Sequence, residues 1–206
     1  MRRGILWGVG LMLVAAAGTF VVTGVSLVPV SIALGPCLAD LTSPSTYQPR
    51  LSPLATVDIQ LASGSARLCY GRPSARGRPI YGALIPYGEY WRFGANEPTR
   101  LYVNRAVSLG GLQIPAGRFS LYAIPGPERW TVHVTRSTIH WGNDISESVR
   151  AKDVGSFEVI PVELPGLVET LTVSTEQRAD STMLHFDWAT TRVTLPLVQL
   201  DGAPHE

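Results

Sequence analysis

From Leu54 to Leu200 the chain runs in short alternations of apolar and polar residues, each closed by Gly, Pro, Asn or Asp. A period of two sends successive side chains to opposite faces, so each run reads as a strand with one buried face. VDIQLA (Val57–Ala62) and SARLCY, parted by a turn at Gly64, predict a first hairpin. RLYVN, AVSLGG, LQIPAG, RFSLYAIPG and WTVHVT follow in quick succession, then SFEVIPVEL, ETLTVST, TMLHFDWA and TRVTLPL. About ten short strands at this spacing predict a mainly β fold, an antiparallel β-sandwich or, as the alternative, a barrel. Only the stretch from Asn143 to Asp153 has helical character, with Asp144 or Ser146 as its cap. A parallel sheet needs helical crossovers, and the sequence offers none.

A different pattern precedes these runs. Between Gly4 and Ala39 there is no charged residue, while Arg2 and Arg3 stand before the stretch and Asp40 after it. A hydrocarbon core about 30 Å thick is crossed by about 20 helical residues, and Ile5 to Val25 suffices. The arginines favour a cytoplasmic N-terminus, with the body on the periplasmic side of the cytoplasmic membrane. A cleaved signal peptide is the competing reading, but its apolar region is normally about 7–15 residues. A single-pass anchor is therefore the expectation. Cys37 suits lipid attachment poorly, because Pro36 directly precedes it. The apolar residues beyond Val25, interrupted by Pro29, could tilt, lie in the interface or pack on another membrane protein. Four regions result: an anchor or uncleaved signal over 1–39, a Pro/Ser-rich linker over 40–53, the β-domain over 54–200 and a polar tail over 201–206. An extended linker of this kind, at about 3.1 Å per residue, reaches about 40 Å.

Composition narrows the classes. A net charge of +1 gives no electrostatic reason to expect nucleic acid or an anionic membrane surface as partner. Lys152 is the only lysine, so nearly all positive charge is guanidinium, which holds planar bidentate contacts. The two cysteines, Cys37 and Cys69, permit a disulfide in an oxidising compartment; two unrelated thiols are the alternative. No Cys/His cluster suggests a metal.

One stretch departs from strand patterning: CYGRPSARGRPIYGALIPYGEYWRFGANEPTRL, Cys69 to Leu101. A connection this long is uncommon in a compact domain without a function or packing of its own. Its arginines and aromatics make Arg72, Arg78, Tyr81, Trp91, Arg92, Asn96 and Glu97 the candidate binding residues, for a carboxylate, phosphate or sugar group or a protein partner. The structural alternative is a lock, with Arg92 and Glu97 as an internal ion pair, Asn96 holding a turn, and Trp91 and Tyr90 plugging one end of the sandwich.

At these residues the chain resembles a bacterial exported family known as a domain of unknown function, number 2911. The motif elements are Arg72-Pro73-Ser74, Gly77-Arg78, Tyr81-Gly82, Pro86-Tyr87-Gly88, Trp91-Arg92, Gly94-Ala95-Asn96-Glu97 and Thr99. PAGRFSLYAIPG (Pro115–Gly126), WTVHV (Trp130–Val134), Trp141-Gly142 and HFDWATTRVTLPL extend the likeness, which covers about Leu51 to Leu197. The resemblance implies an exported, mostly β domain with no assigned activity. Phe93 stands where the family often has Thr. The anchor-like N-terminus replaces the plain signal or lipid attachment more usual in relatives.

No catalytic set emerges. GxSxG and HExxH are absent, no paired carboxylates suggest a glycosidase, and no Gly-rich loop opens a helix. Of the four histidines, His133 and His185 fall in strands and His205 in the tail, while His140 lies in a loop and is the best ligand candidate. The expectation is a non-enzymatic accessory subunit without cofactor or metal. It is anchored by its N-terminal helix and stabilises a larger integral membrane complex, for example a respiratory or photosynthetic one. A small-ligand or glycan-binding module is the alternative, and an uncharacterised hydrolase a more distant one.

Overall fold

The computed structural model describes Cys37 and residues 51–140 and 142–200. The expected anchor, nearly all of the linker, Trp141 and the tail with His205 lie outside the described residues. Among the described residues no helix is long and apolar enough to cross a membrane.

The fold is mainly β, and the described residues form ten strands in two antiparallel sheets. The first sheet joins β1 (Leu54–Gln60), β2 (Ser65–Gly71), β3 (Thr99–Val103), β6 (Gly117–Ile124), β7 (Trp130–Thr135) and β8 (Asp153–Val159), in that order. The second runs β5 (Leu112–Ile114), β4 (Val107–Leu109), β10 (Thr182–Gln199), β9 (Val162–Gln177). The predicted first hairpin forms as β1–β2, with Leu54 opposite Gly71 and Gln60 opposite Ser65. AVSLGG and LQIPAG become the β4–β5 hairpin. Its two turn residues, Gly110 and Gly111, have φ of 59° and 92°, as a two-residue hairpin with the right twist requires.

The last four predicted runs are not four separate strands. TMLHFDWA and TRVTLPL merge into β10, of 18 residues, bent at a bulge around Ala189, whose φ is 54°. ETLTVST is the second half of the 16-residue β9, whose first half takes over VEL from the preceding run. Pro165 is tolerated there because β9 is an edge strand, where a missing N–H breaks no ladder. The predicted helix shrinks to α1 (Glu147–Arg150). Ser146 holds the cap position without a capping side-chain bond.

Both sheets contribute to one core. Leu68, Leu101, Phe119, Leu121 and Val132 face it from the first sheet, and Leu109, Leu171, Leu184, Phe186 and Leu195 from the second. β3 is buried along its whole length, against the expectation of one wet face. The cause is the segment after β7, which crosses the outer face of the first sheet. There Arg100 Nε donates to the Thr138 carbonyl, and Ile145 and Val149 form a small second cluster with Tyr122. Beneath it the Tyr122 hydroxyl donates to Asp153, whose Oδ2 also lies 3.2 Å from His133 Nδ1. His133 and His185 sit in different sheets.

Cys37 and Cys69 are joined by a disulfide, with Cα atoms 5.7 Å apart. Cys69 is buried in β2, so the bond fastens Cys37 to the second strand of the first sheet, one in from its β1 edge.

Candidate functional site

The long connection from β2 to β3 is a built cap rather than a free loop. Leaving β2, it docks on the open edge of β9: Leu171 N–H donates to the Pro73 carbonyl at 2.9 Å and Ala75 N–H to the Glu169 carbonyl at 2.8 Å. It then turns through Tyr81–Ile85 and returns to the first sheet, where Trp91 and Ala123 exchange two backbone bonds of 2.8 Å. The connection thus ties the two sheets together.

Its aromatics enter the core. Trp91 stacks on Trp188 of β10, with ring centroids 6.0 Å apart and planes 24° from parallel. Phe93 stacks on Phe186 at 4.3 Å. Tyr81 meets Trp130 edge-on at 4.7 Å, and burial raises its phenol above the ordinary value. Phe93 has a φ of 58°, costly for a bulky side chain, and its fully buried stack offsets that cost. Here a buried aromatic stands at the position where the resemblance expects Thr, and it extends the core into the cap.

The motif GANE forms a tight turn around this plug. Trp91 Nε1–H donates to the Gly94 carbonyl at 3.1 Å, and the Thr99 hydroxyl donates to the Phe93 carbonyl at 2.9 Å. A Cβ on Gly94 would lie 2.7 Å from Thr99 Oγ1, so a side chain there would have to displace the Thr99 hydroxyl from its place. Asn96 takes a φ of 62°, which Asn tolerates. Its carbonyl accepts from Arg92 Nη1 at 3.3 Å.

Of the seven predicted site residues, four meet. Arg78, Trp91, Arg92 and Asn96 line one pocket of about 320 Å³. Arg72 lies elsewhere: its Nε and Nη2 donate to the Leu171 carbonyl and Thr172 Oγ1, clamping the end of β2 to β9. Tyr81 lines a different pocket, with Tyr87, Pro127 and Trp130. Glu97 is buried at 3% exposure, and its charge acts on Arg92. Burial is the larger influence on Arg92 and lowers its guanidinium below the ordinary value; Glu97 opposes that. Arg92 Nε is buried without a hydrogen-bond partner. His140 is pushed down, chiefly by burial and then by Arg100.

The lining residues absent from the predicted set include three polar ones that bear on the chemistry: Ser74, Arg76 and Asn143. Arg76 and Ser74 belong to the same arginine-rich run, which was a usable signal. Asn143 comes from the far side of β7, and no local pattern marks it. Its Oδ1 accepts the Arg92 backbone N–H at 3.4 Å. Among the described residues no group of three or more His, Cys, Asp or Glu side chains could hold a metal ion.

The model of a family described as a protein of unknown function, DUF2911, matches residues 52–197. None of the curated proteins and none of the solved structures matches the chain.

Proposed function

The chain belongs to the DUF2911 family, and from that premise we propose that it is a non-enzymatic accessory subunit, a periplasmic β-sandwich held at the cytoplasmic membrane by its N-terminal helix, which binds and stabilises a larger membrane protein complex. The observation that carries this reading is the Cys37–Cys69 disulfide. Cys37 stands two residues before the end of the uncharged stretch that reaches Ala39. Bonding it to a buried strand makes the following linker a closed loop. The distance between membrane and body is then set by Cys37 and not by the linker's reach. A flexible tether suits a domain that searches for its target; a short, fixed mount suits one that keeps a single pose against a neighbour.

A second feature supports contact as the role. Tyr87, Ile160, Val162 and Leu167 are exposed apolar side chains on the domain, and Tyr87 and Val162 line the same pocket. Exposed apolar surface of this kind favours a protein neighbour.

The test is extraction of native membranes in gentle detergent, followed by native gels and identification of co-migrating proteins. The proposal expects a stoichiometric partner that is lost on reduction or in Cys37→Ser. A chain that always migrates as a lone monomer overturns it.

A further inference from the structure

Three guanidinium groups converge on the pocket that the cap forms against β10. Arg76, Arg78 and Arg92 line it, and among the described residues no carboxylate does. Such convergence is unfavourable unless the charges are neutralised, and the protein neutralises them incompletely. Arg78 donates from Nε and Nη2 to the carbonyls of Ala75 and Ser74, both at 2.9 Å. Arg76 donates from Nη2 to the Leu51 carbonyl at 3.1 Å. Among the described residues neither has a carboxylate at ion-pair distance from its guanidinium. Two acidic groups act nearby: Glu97 on Arg92, and Glu169, whose Oε1 accepts the Arg76 backbone N–H at 2.7 Å. Neither lines the pocket, and three cations still outnumber two anions.

The backbone bonds of Arg76 and Arg78 hold the two guanidiniums in place and leave other N–H groups free to donate. Preorganised planar donors are what a carboxylate or phosphate needs for paired contacts. Asn143 accepts with Oδ1, which leaves its amide N–H₂ available. The lining also includes Leu84 and Ile85, so one wall is apolar. At about 320 Å³ the pocket is at the small end of ligand sites, large enough for one oxyanion on a compact body.

We propose that this pocket is a binding site for a small oxyanion, a carboxylate or phosphate group, gripped by Arg76, Arg78 and Arg92 with Asn143 at the rim. The site stands on the described domain alone and is independent of the anchoring reading. A free metabolite and an anionic lipid headgroup share this chemistry, and the probes below separate them.

The experiment uses the full chain in detergent. Inorganic phosphate, citrate and short-chain dihexanoyl phosphatidylglycerol are titrated at constant ionic strength, with sodium chloride as control. Binding is read by thermal shift and by the fluorescence of the indoles, since Trp91 and Trp188 line the pocket. At least one probe should bind saturably, raise Tm and change the indole signal where chloride does not. Arg76→Gln and Arg78→Gln should each weaken that binding about 10-fold or more, while Arg118→Gln, in a different pocket, should leave it unchanged. Binding of phosphate or citrate assigns a soluble ligand; binding of the lipid probe alone assigns a headgroup. Arg92 is too deeply packed to be the first variant. Asn143→Ala, at an exposed position, is the check that keeps the fold intact, and it should weaken binding several-fold. Failure of all three probes overturns the proposal. So does affinity that survives both arginine variants in folded protein.

Discussion

The indole of Trp91 lies over that of Trp188, 6.0 Å between ring centroids and 24° from parallel. One belongs to the β2–β3 cap and the other to the bend of β10, so this stack fastens the cap to the second sheet through side chains, beside its backbone bonds to β9. Trp188 is 1% exposed, and its Nε1–H donates to the Glu169 carbonyl at 3.2 Å. Trp188→Ala should therefore cost about 3–5 kcal/mol. Denaturant unfolding followed by circular dichroism measures this. A loss below about 1 kcal/mol would show that the cap holds without the stack.

Gly71 ends β2 where the cap folds back over it. A Cβ there would stand 2.1 Å from the Ala95 carbonyl oxygen, a backbone atom unable to rotate away. Gly71→Ala should destabilise by about 1–3 kcal/mol or more, through overpacking rather than conformational entropy. A crystal structure or amide exchange of the variant should place the disturbance in the GANE turn. Gly88→Ala serves as contrast: it has open space but a φ of 80°, so any cost there comes from backbone strain.

The disulfide closes a sequence separation of 32 residues. Loop-closure entropy for that length corresponds to about 3–4 kcal/mol. The double variant Cys37→Ser/Cys69→Ser should lose that amount in chemical denaturation. The wild type in reductant should fall to the same midpoint. Equal stability of oxidised and reduced protein would mean that the constraint does not act on the unfolded chain.

Alkaline stability follows from three tyrosines. Burial raises the phenols of Tyr70 and Tyr122 above the ordinary value, and Tyr81 likewise. In the unfolded chain they ionise near pH 10. Above that pH the unfolded state holds fewer protons than the folded state, so stability falls as pH rises. The contribution is complete below about pH 10 and is lost progressively above it. Of the seven tyrosines, three should show phenolate absorbance only as the protein unfolds. Reversible ionisation of all seven near pH 10 in folded protein would contradict the packing described here.

Much of the β-domain was legible because its signals are local. Alternation marks β1, β2, β6 and β7, and the Gly110-Gly111 pair marks a two-residue turn. The misreadings have local causes as well. Ala189 carries the bend in β10 without being Gly, so TMLHFDWA and TRVTLPL look like separate strands. The outer face of β3 is covered by the segment around Thr138, a contact that no pattern within TRLYV encodes.

The site divides along the same line. An arginine-rich connection too long for a simple loop is visible in residues 69–101, and so is its aromatic content. Arg72 looks equivalent to Arg78 in that string. Yet its partners lie on β9, 99 and 100 residues away, and they make it a clamp. Asn143 joins the pocket from 51 residues beyond Arg92.

By itself the sequence determined the uncharged leader, the sheet-forming body and the family motif, because chain-local composition and a period of two are enough for each. Only the tertiary structure decided that Arg76, Arg78 and Arg92 share one pocket, that Glu97 and Tyr81 stay out of it, and that Cys37 is fastened to β2. Those are meetings between distant residues, and they depend on how two sheets and one cap pack around a common core.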